Sequence, residues 1–130
     1  MDSLVRFRTR AVWEPNADVV VDDAARMVVV RVELAGADSD TLRVFFDERH
    51  LFIAGRRSET ARLRNGSFLQ KEIAHGEFVK KLHLPVAVQY GDVTATYGDG
   101  MLTIALPIAS TAYIPTSRTE IRMIVKRILA

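Results

Sequence analysis

The chain has no cysteine among its 130 residues. A disulfide framework, a thiolate nucleophile and a thiolate metal ligand are therefore excluded, and the composition fits a reducing compartment such as the cytoplasm. No apolar run approaches the roughly 18 residues of a membrane span. The opening MDSLVRFR lacks the apolar stretch and cleavage site of a secretory signal. A net charge of +2 favours neither nucleic acid nor a membrane surface as a partner. We expect a cytoplasmic protein that binds neither.

Motifs for catalysis and for metal or cofactor binding are missing as well. His50, His75 and His83 have no ligand spacing and lie in or beside predicted strands. The acid pairs Asp22-Asp23 and Asp47-Glu48 fall between predicted strands, where acids commonly form turns. We therefore expect no catalytic residue, no metal site, no cofactor and no enzymatic activity.

Alternating apolar and polar residues dominate the rest of the chain. Short segments of this kind, separated by turn residues at regular spacing, are typical of an antiparallel β-sandwich. We predict an all-β, immunoglobulin-like fold, with no internal repeat. The predicted strands cover residues 19–21, 27–34, 42–46, 51–55, 68–73, 78–84, 93–97 and 101–106.

Two polar segments interrupt this rhythm. Residues 56–66 are charged and polar, so they are predicted to form a long exposed loop. At the N-terminus, Arg6, Arg8 and Arg10 alternate with apolar residues. They could form the basic face of a strand near nucleic acid or anionic lipid, but the sequence favours a solvated, mobile arm.

The C-terminal tail ends in an apolar segment that needs a partner surface, and two conformations are open for it. As a helix that begins at a capping box, Ser117 to Glu120, it would bring four apolar residues to one face. As an extended segment it would align every second residue instead. The helical face would contain Ile121, Ile124, Val125 and Ile128, and the extended face Ile121, Met123 and Val125.

The most specific signal is the segment YGDGMLTIALP at residues 97–107. Asp99-Gly100 can adopt the positive φ angles of a tight turn, and the residues after it alternate as a strand does. Together with Ala95, the segment resembles the A-x-x-x-n-G-x-L-t-I-x-L-P signature of the α-crystallin domain, the core of small heat-shock proteins. Gly100, Leu102 and Leu106-Pro107 occupy the corresponding positions.

Weaker matches extend the resemblance over most of the chain. Trp13-x-Pro15, the VELAG at residues 32–36, the LFIAG at 51–55 and the segment from Gly76 to Pro85 are similar to family motifs. The expected organisation is an N-terminal arm at 1–12, an α-crystallin domain at 13–107 and a C-terminal extension at 108–130.

The resemblance implies an ATP-independent chaperone, a holdase that captures partly unfolded proteins and forms dimers that assemble further. The alternative is a co-chaperone-type adaptor that binds one folded partner. A monomer with a single partner would favour the adaptor, and a polydisperse oligomer the holdase. Because the arm before Trp13 carries few apolar residues, client capture is expected to depend on other surfaces and to increase on heating.

The resemblance also implies three sets of interaction residues. In bacterial and plant members a loop strand crosses to the partner subunit, and in animal members it does not. The length of residues 56–66 permits the crossing without requiring it. Lys80 stands where the family usually has arginine, and lysine cannot replace a bidentate arginine. A family tail docks in a groove between two strands of a neighbouring domain, although core packing explains part of the same apolar stripes. The expected dimer interface contains Arg62, Leu63, Phe68 and Lys80. The expected tail-docking groove contains Leu42, Val44, Phe46, Val93, Ala95 and Tyr97. The expected oligomerisation tail contains Ile121, Met123, Ile124, Val125 and Ile128.

Overall fold

Strands make up nearly all the regular structure in the computed structural model, which describes residues 3–47, 49–59, 66–109, 119–121 and 123–125. One helix, α1 (Ser3–Arg10), precedes them. The strands are β1 (Ala17–Asp22), β2 (Met27–Glu33), β3 (Arg43–Asp47), β4 (His50–Arg57), β5 (Gly76–His83), β6 (Thr94–Gly98), β7 (Met101–Pro107), β8 (Thr119–Ile121) and β9 (Met123–Val125).

The strands form two sheets that make a β-sandwich. One sheet has five strands in the order β1-β2-β7-β6-β9, and the other has four in the order β5-β4-β3-β8. All pairs are antiparallel except β6 with β9, which is parallel. The predicted fold class is confirmed.

The core between the sheets comes from strict alternation along the strands. In β7, Leu102, Ile104 and Leu106 are fully buried, while the residues between them are partly exposed. β2 alternates in the same way and pairs with β7 along its whole length. This two-residue period is what a strand with one face on a core requires. The other large, fully buried core residues include Leu34, Leu42, Phe46, Leu51, Ile53, Phe78 and Leu84.

The turn between β6 and β7 has the predicted conformation. Asp99 has a φ of 54° and Gly100 a φ of 75°. Positive φ at both central residues gives a hairpin turn whose twist matches the flanking strands. The carbonyl of Gly100 also accepts a hydrogen bond from the N–H of Leu34 at 2.8 Å.

The N-terminal arm contains the helix α1, which contacts β4 and β5, so the strand alternative is wrong. The side chains of Arg8 and Arg10 are exposed, as in the favoured solvated arm. Two further local predictions were wrong. Residues 68–73 form no strand, because a strand needs a neighbour for its backbone groups. The loop predicted from residue 56 starts only after Arg57, since β4 continues to that residue beside β5.

Candidate binding surfaces

The edge groove is the open side of the sandwich between β3, the last core strand of one sheet, and β6, the last core strand of the other. The tail crosses this opening in extended form. β8 pairs with β3, placing Ile121 opposite Val44, and β9 pairs with β6, placing Met123 opposite Ala95. The tail backbone therefore caps two strand edges that would otherwise leave their backbone groups unpaired. Of the two tail conformations, the described residues have the extended one.

The six predicted groove residues lie on or beside these two edges. Leu42, Val44, Phe46 and Ala95 are buried in the core, and Val93 and Tyr97 pack against it half-buried. The apolar floor of the edge groove is thus the border of the core itself. Their assignment to a docking surface stays a prediction. The tail here occupies the edges of its own chain, whereas family tails were expected on a neighbouring domain.

Tyr97 is the polar member of this set. Its hydroxyl donates to the carbonyl oxygen of Leu34 at 2.6 Å. Burial raises the pKa of the Tyr97 phenol above its usual value, and the backbone of Ala37 and the charge of Arg57 offset this only in part. The neutral phenol is therefore the form that fits this end of the edge groove.

The predicted dimer residues lie on two separate segments. Phe68 is in the loop before β5 with 51% of its surface exposed, and the ammonium of Lys71 lies 5.3 Å from its ring centroid. Lys80 lies on β5, where its ammonium contacts a carboxylate oxygen of Glu14 at 2.7 Å. Arg62 and Leu63 lie outside the described residues. These four residues as an interface remain a prediction.

Further exposed apolar residues lie near the same loop and on β1. Leu69 is fully exposed and Ile73 largely so. Among the described strands, β1 has no neighbour on its outer side and is the free edge of the five-stranded sheet, and Val20 on it is 52% exposed. An apolar edge strand with unpaired backbone groups is a ready template for a strand of another chain.

A second apolar cluster, absent from the sequence-based prediction, lies on the outer face of the four-stranded sheet. Phe45, Phe52 and Ala54 are buried there and pack with Val79. The available signal was the uninterrupted apolar run in β3 and β4: a strand buried on both faces does not alternate. We call this surface the outer face.

The entry of the chain into the sandwich depends on Trp13 and Arg57, whose roles the sequence-based prediction also missed. The indole N–H of Trp13 donates to the carbonyl of Gly76 at 2.8 Å, and its ring lies 5.1 Å from that of Phe78. Arg57 lies over the indole. These contacts join segments far apart in sequence, so local pattern gives no sign of them.

In the described part of the chain, no three His, Asp or Glu side chains are grouped so that they could hold a metal ion. The helix found in that part is too short and too polar to cross a bilayer. The carboxyl of Asp38, whose pKa is held below its usual value by the hydroxyl of Ser58 and by Arg56, serves to join a loop to β4.

Comparison with known proteins identifies the family of this chain. The sequence model of the Hsp20/alpha crystallin family matches residues 20–123. The chain belongs to this family.

Individual relatives agree with that assignment. Small heat shock protein C4 of Rickettsia felis is 27% identical over 96 residues, which cover 74% of this chain and 58% of that protein. Alpha-crystallin of Mycobacterium tuberculosis is 33% identical over 81 residues, covering 62% and 54%. The chain thus spans less than two thirds of the length of these curated relatives.

Solved structures show the same fold. The hspA protein of Xanthomonas axonopodis matches with a TM-score of 0.66 and 26% identity, over 75% of this chain and 96% of that one. A small heat-shock protein from Xylella fastidiosa, described as having a distinct high order structure, matches with a TM-score of 0.66 and 24% identity, over 92% and 98%.

Proposed function

We propose that this protein is an ATP-independent chaperone that holds partly unfolded proteins on apolar surface and thereby prevents their aggregation. Membership of the Hsp20/alpha crystallin family supports the chaperone role. No nucleotide, metal or catalytic group takes part in this proposal. The protein associates with itself as a dimer and in larger oligomers, and acts in the cytoplasm.

The observation that carries the proposal is the cover over the edge groove. β8 and β9 have three residues each, so they hold the tail in place through few backbone hydrogen bonds. Beside them, as their pairing partners, lie Val44 and Ala95 at the border of the core. Release of the tail would uncover a contiguous apolar surface of the type that binds other proteins.

A short cover of this kind makes binding depend on temperature. Each tail strand is held by few contacts, so heating increases the fraction of chains with the tail released. Clients bind the chains whose tail is released, so by mass action the amount of bound client increases with that fraction. Capture should therefore be weak when the tail is docked. In the assembly we expect the tail to dock on the edges of a neighbouring subunit, so its release also lets subunits exchange, and capture should increase with the exchange rate.

The test is suppression of aggregation of a model client without nucleotide, measured against temperature beside the subunit-exchange rate. Suppression that rises with exchange supports the proposal. Equal suppression at the lowest and highest temperature, with exchange rising many-fold, would contradict tail release as the mechanism. No suppression at any temperature would contradict the holdase itself. Light scattering after size-exclusion chromatography then separates the holdase, a polydisperse oligomer, from the adaptor, a monomer with one partner.

A further inference from the structure

Two histidines on neighbouring strands lie side by side at one end of the outer face. His50 is the first residue of β4 and His83 the last of β5, and they are directly opposite each other in the register. Because side chains alternate along a strand, His50 lies on the same face as Phe52, and their ring centroids are 6.3 Å apart. The centroids of the two imidazoles are 5.3 Å apart, with one ring edge-on to the other.

The backbone register brings this pair of side chains close together. At the next position along the strands, the N–H of Leu84 donates to the carbonyl of Arg49 at 2.8 Å. In an antiparallel ladder, hydrogen-bonded pairs of residues alternate with non-hydrogen-bonded pairs, whose side chains are closer. His50 and His83 therefore form a non-hydrogen-bonded pair. The sheet, and not a flexible loop, sets the separation of the two histidines.

Two imidazoles at this separation can bind one metal ion together. With one nitrogen of each ring about 2.0–2.1 Å from a shared ion, tetrahedral geometry places the ring centroids about 5 Å apart. The observed separation of 5.3 Å is close to this value. Rotation about the Cβ–Cγ bond, which is soft in histidine, directs one nitrogen of each ring to the ion. His50 is half-buried and His83 is exposed, so an ion can enter from solvent and water can complete its coordination.

Charges of both signs lie beside the pair. On β3, Asp47 is opposite His50, and its carboxylate favours a cation at this end of the sheet. Lys81 precedes His83 by two residues on β5 and disfavours a cation, although its ammonium lies 5.8 Å from the centroid of the Phe52 ring. Within the described residues, no third His, Asp or Glu completes a set of ligands. The two imidazoles are therefore the protein ligands.

We propose that His50 and His83 form a binding site for a divalent transition-metal ion, with Cu²⁺ as its tightest ligand. Imidazole nitrogen suits Cu²⁺, Ni²⁺ and Zn²⁺, and among these the affinity is highest for Cu²⁺. Mg²⁺ requires oxygen ligands and is excluded. A bound ion links β4 to β5 and so stabilises the folded sandwich. Spacing along the chain did not predict this site, because strand pairing brings the two histidines together. The inference does not depend on the proposed chaperone function.

The test is calorimetric titration of the full chain with Cu²⁺, Zn²⁺ or Mg²⁺ as the metal salt alone. We expect one Cu²⁺ per chain, bound at least about tenfold more tightly than Zn²⁺, and no binding of Mg²⁺. His50→Gln and His83→Gln should each weaken Cu²⁺ binding at least about tenfold, because a single imidazole cannot chelate. The double variant should bind at most about threefold more weakly than either single variant, since each replacement already removes chelation.

The third histidine supplies a matched control. The Nδ1 of His75 contacts the ammonium of Lys71 at 3.2 Å in the loop before β5, and His75→Gln should bind Cu²⁺ as the natural chain does. Lys81→Gln should tighten Cu²⁺ binding about threefold and Asp47→Asn should weaken it by about as much, the size of an exposed charge contact. Cu²⁺ should raise the melting temperature of the natural chain and of His75→Gln, and should leave that of the double variant unchanged.

Three results would overturn the inference. They are equal Cu²⁺ affinity in the natural chain and the double variant, a loss with His75→Gln as large as with His50→Gln, or single losses that add up in the double variant, which would indicate separate sites. Circular dichroism checks that each variant folds. If a glutamine variant does not fold, paramagnetic broadening of amide signals by Cu²⁺ in the natural chain takes its place. The signals around His50 and His83 should broaden first, and earlier broadening elsewhere would contradict the site.

Discussion

The guanidinium carbon of Arg57 lies 4.2 Å from the centroid of the Trp13 ring. Arg57 also donates twice to the carbonyl of Ala74, at 2.9 and 2.7 Å, and once to that of Ala35, at 3.2 Å. Trp13 in turn donates to Gly76. One arginine at the end of β4 thus joins the entry of the chain, the loop after β2 and the segment that leads into β5.

Replacement of Arg57 should loosen all three segments together. We expect Arg57→Ala to lower the free energy of unfolding by about 2 kcal/mol, since a stacked cation and charge-assisted hydrogen bonds are lost. Arg57→Lys should retain only part of this stability, because an ammonium cannot reproduce the planar, multiple hydrogen bonding of the guanidinium group. Arg56→Lys, at an exposed ion pair with Asp38, is the control and should cost less than about 1 kcal/mol. Denaturant unfolding followed by the single tryptophan measures each variant; equal losses for Arg56→Lys and Arg57→Ala would contradict the prediction.

Gly55 permits close packing within the core. A Cβ at this position would lie 2.8 Å from Leu42 and 2.9 Å from Phe78, both buried. We expect Gly55→Ala to lower the free energy of unfolding by about 1–3 kcal/mol, because the neighbouring side chains must shift in a filled core. Gly91→Ala is the matched control, since nothing lies within 4 Å of its Cβ position. Calorimetric melting should separate the two; similar melting temperatures would show that the core relaxes around the new methyl group.

The phenol of Tyr97 should make stability fall at alkaline pH. Its pKa is raised in the folded protein, first of all by burial. Above about pH 10 the phenol loses its proton more readily in the unfolded state than in the folded one, and this ionisation lowers the free energy of the unfolded state. Stability should therefore be complete below pH 10 and decline as the pH rises further.

The stability of the Tyr97→Phe variant should decline less steeply above pH 10 than that of the natural protein. At neutral pH it should cost about 0.5–1 kcal/mol, the lower part of the usual range, because the carbonyl of Leu34 still accepts from the N–H of Ala37 at 3.1 Å. Denaturant unfolding at pH 8, 10 and 11 measures both effects. Parallel curves for the two proteins would contradict a role for Tyr97 ionisation.

Removal of the tail should separate assembly from folding. We expect truncation after Thr116 to leave a folded dimer without the larger oligomers. The strands β3 and β6 keep their pairing with β4 and β7. In the assembly we expect the tail to move from the edges of its own chain to those of a neighbouring subunit, where each apolar tail residue that becomes fully buried would contribute about 1.5–3 kcal/mol. Truncation after Val125 keeps β8 and β9 and should keep the assembly. If the first variant retains its full mass in light scattering, the tail is not the assembly contact.

Deletion of Thr60 to Asn65 should yield folded monomers. The deleted residues connect β4 to the exposed Phe68 and Leu69, which we expect to meet the free edge of β1 in the partner subunit. Val20→Lys on β1 should weaken the dimer as well, because a lysine on an edge strand opposes added pairing. Sedimentation at low concentration measures both variants. A deletion variant that stays dimeric would exclude the loop as the contact.

Local pattern carried most of the fold. The alternation in residues 101–106 and 27–34 predicted strands that bury one face, and Asp99-Gly100 predicted the turn that joins two of them. These features depend on residues close in sequence, whose backbone preferences and two-residue period are properties of the chain itself. The same residues carry the family signature, so the sequence by itself determined both the fold class and the family.

Contacts between residues distant in sequence decided the conformations of the segments that pack on the sandwich. α1 is a helix because it packs on β4 and β5, whereas its own residues are too few to form one alone. The tail is extended because β3 and β6 offer it free backbone edges. Residues 68–73 have strand composition without a strand, since composition supplies no hydrogen-bonding neighbour. In each case the conformation depends on which surface the tertiary fold brings near. A local sequence pattern does not specify that surface, so it could not predict the conformation.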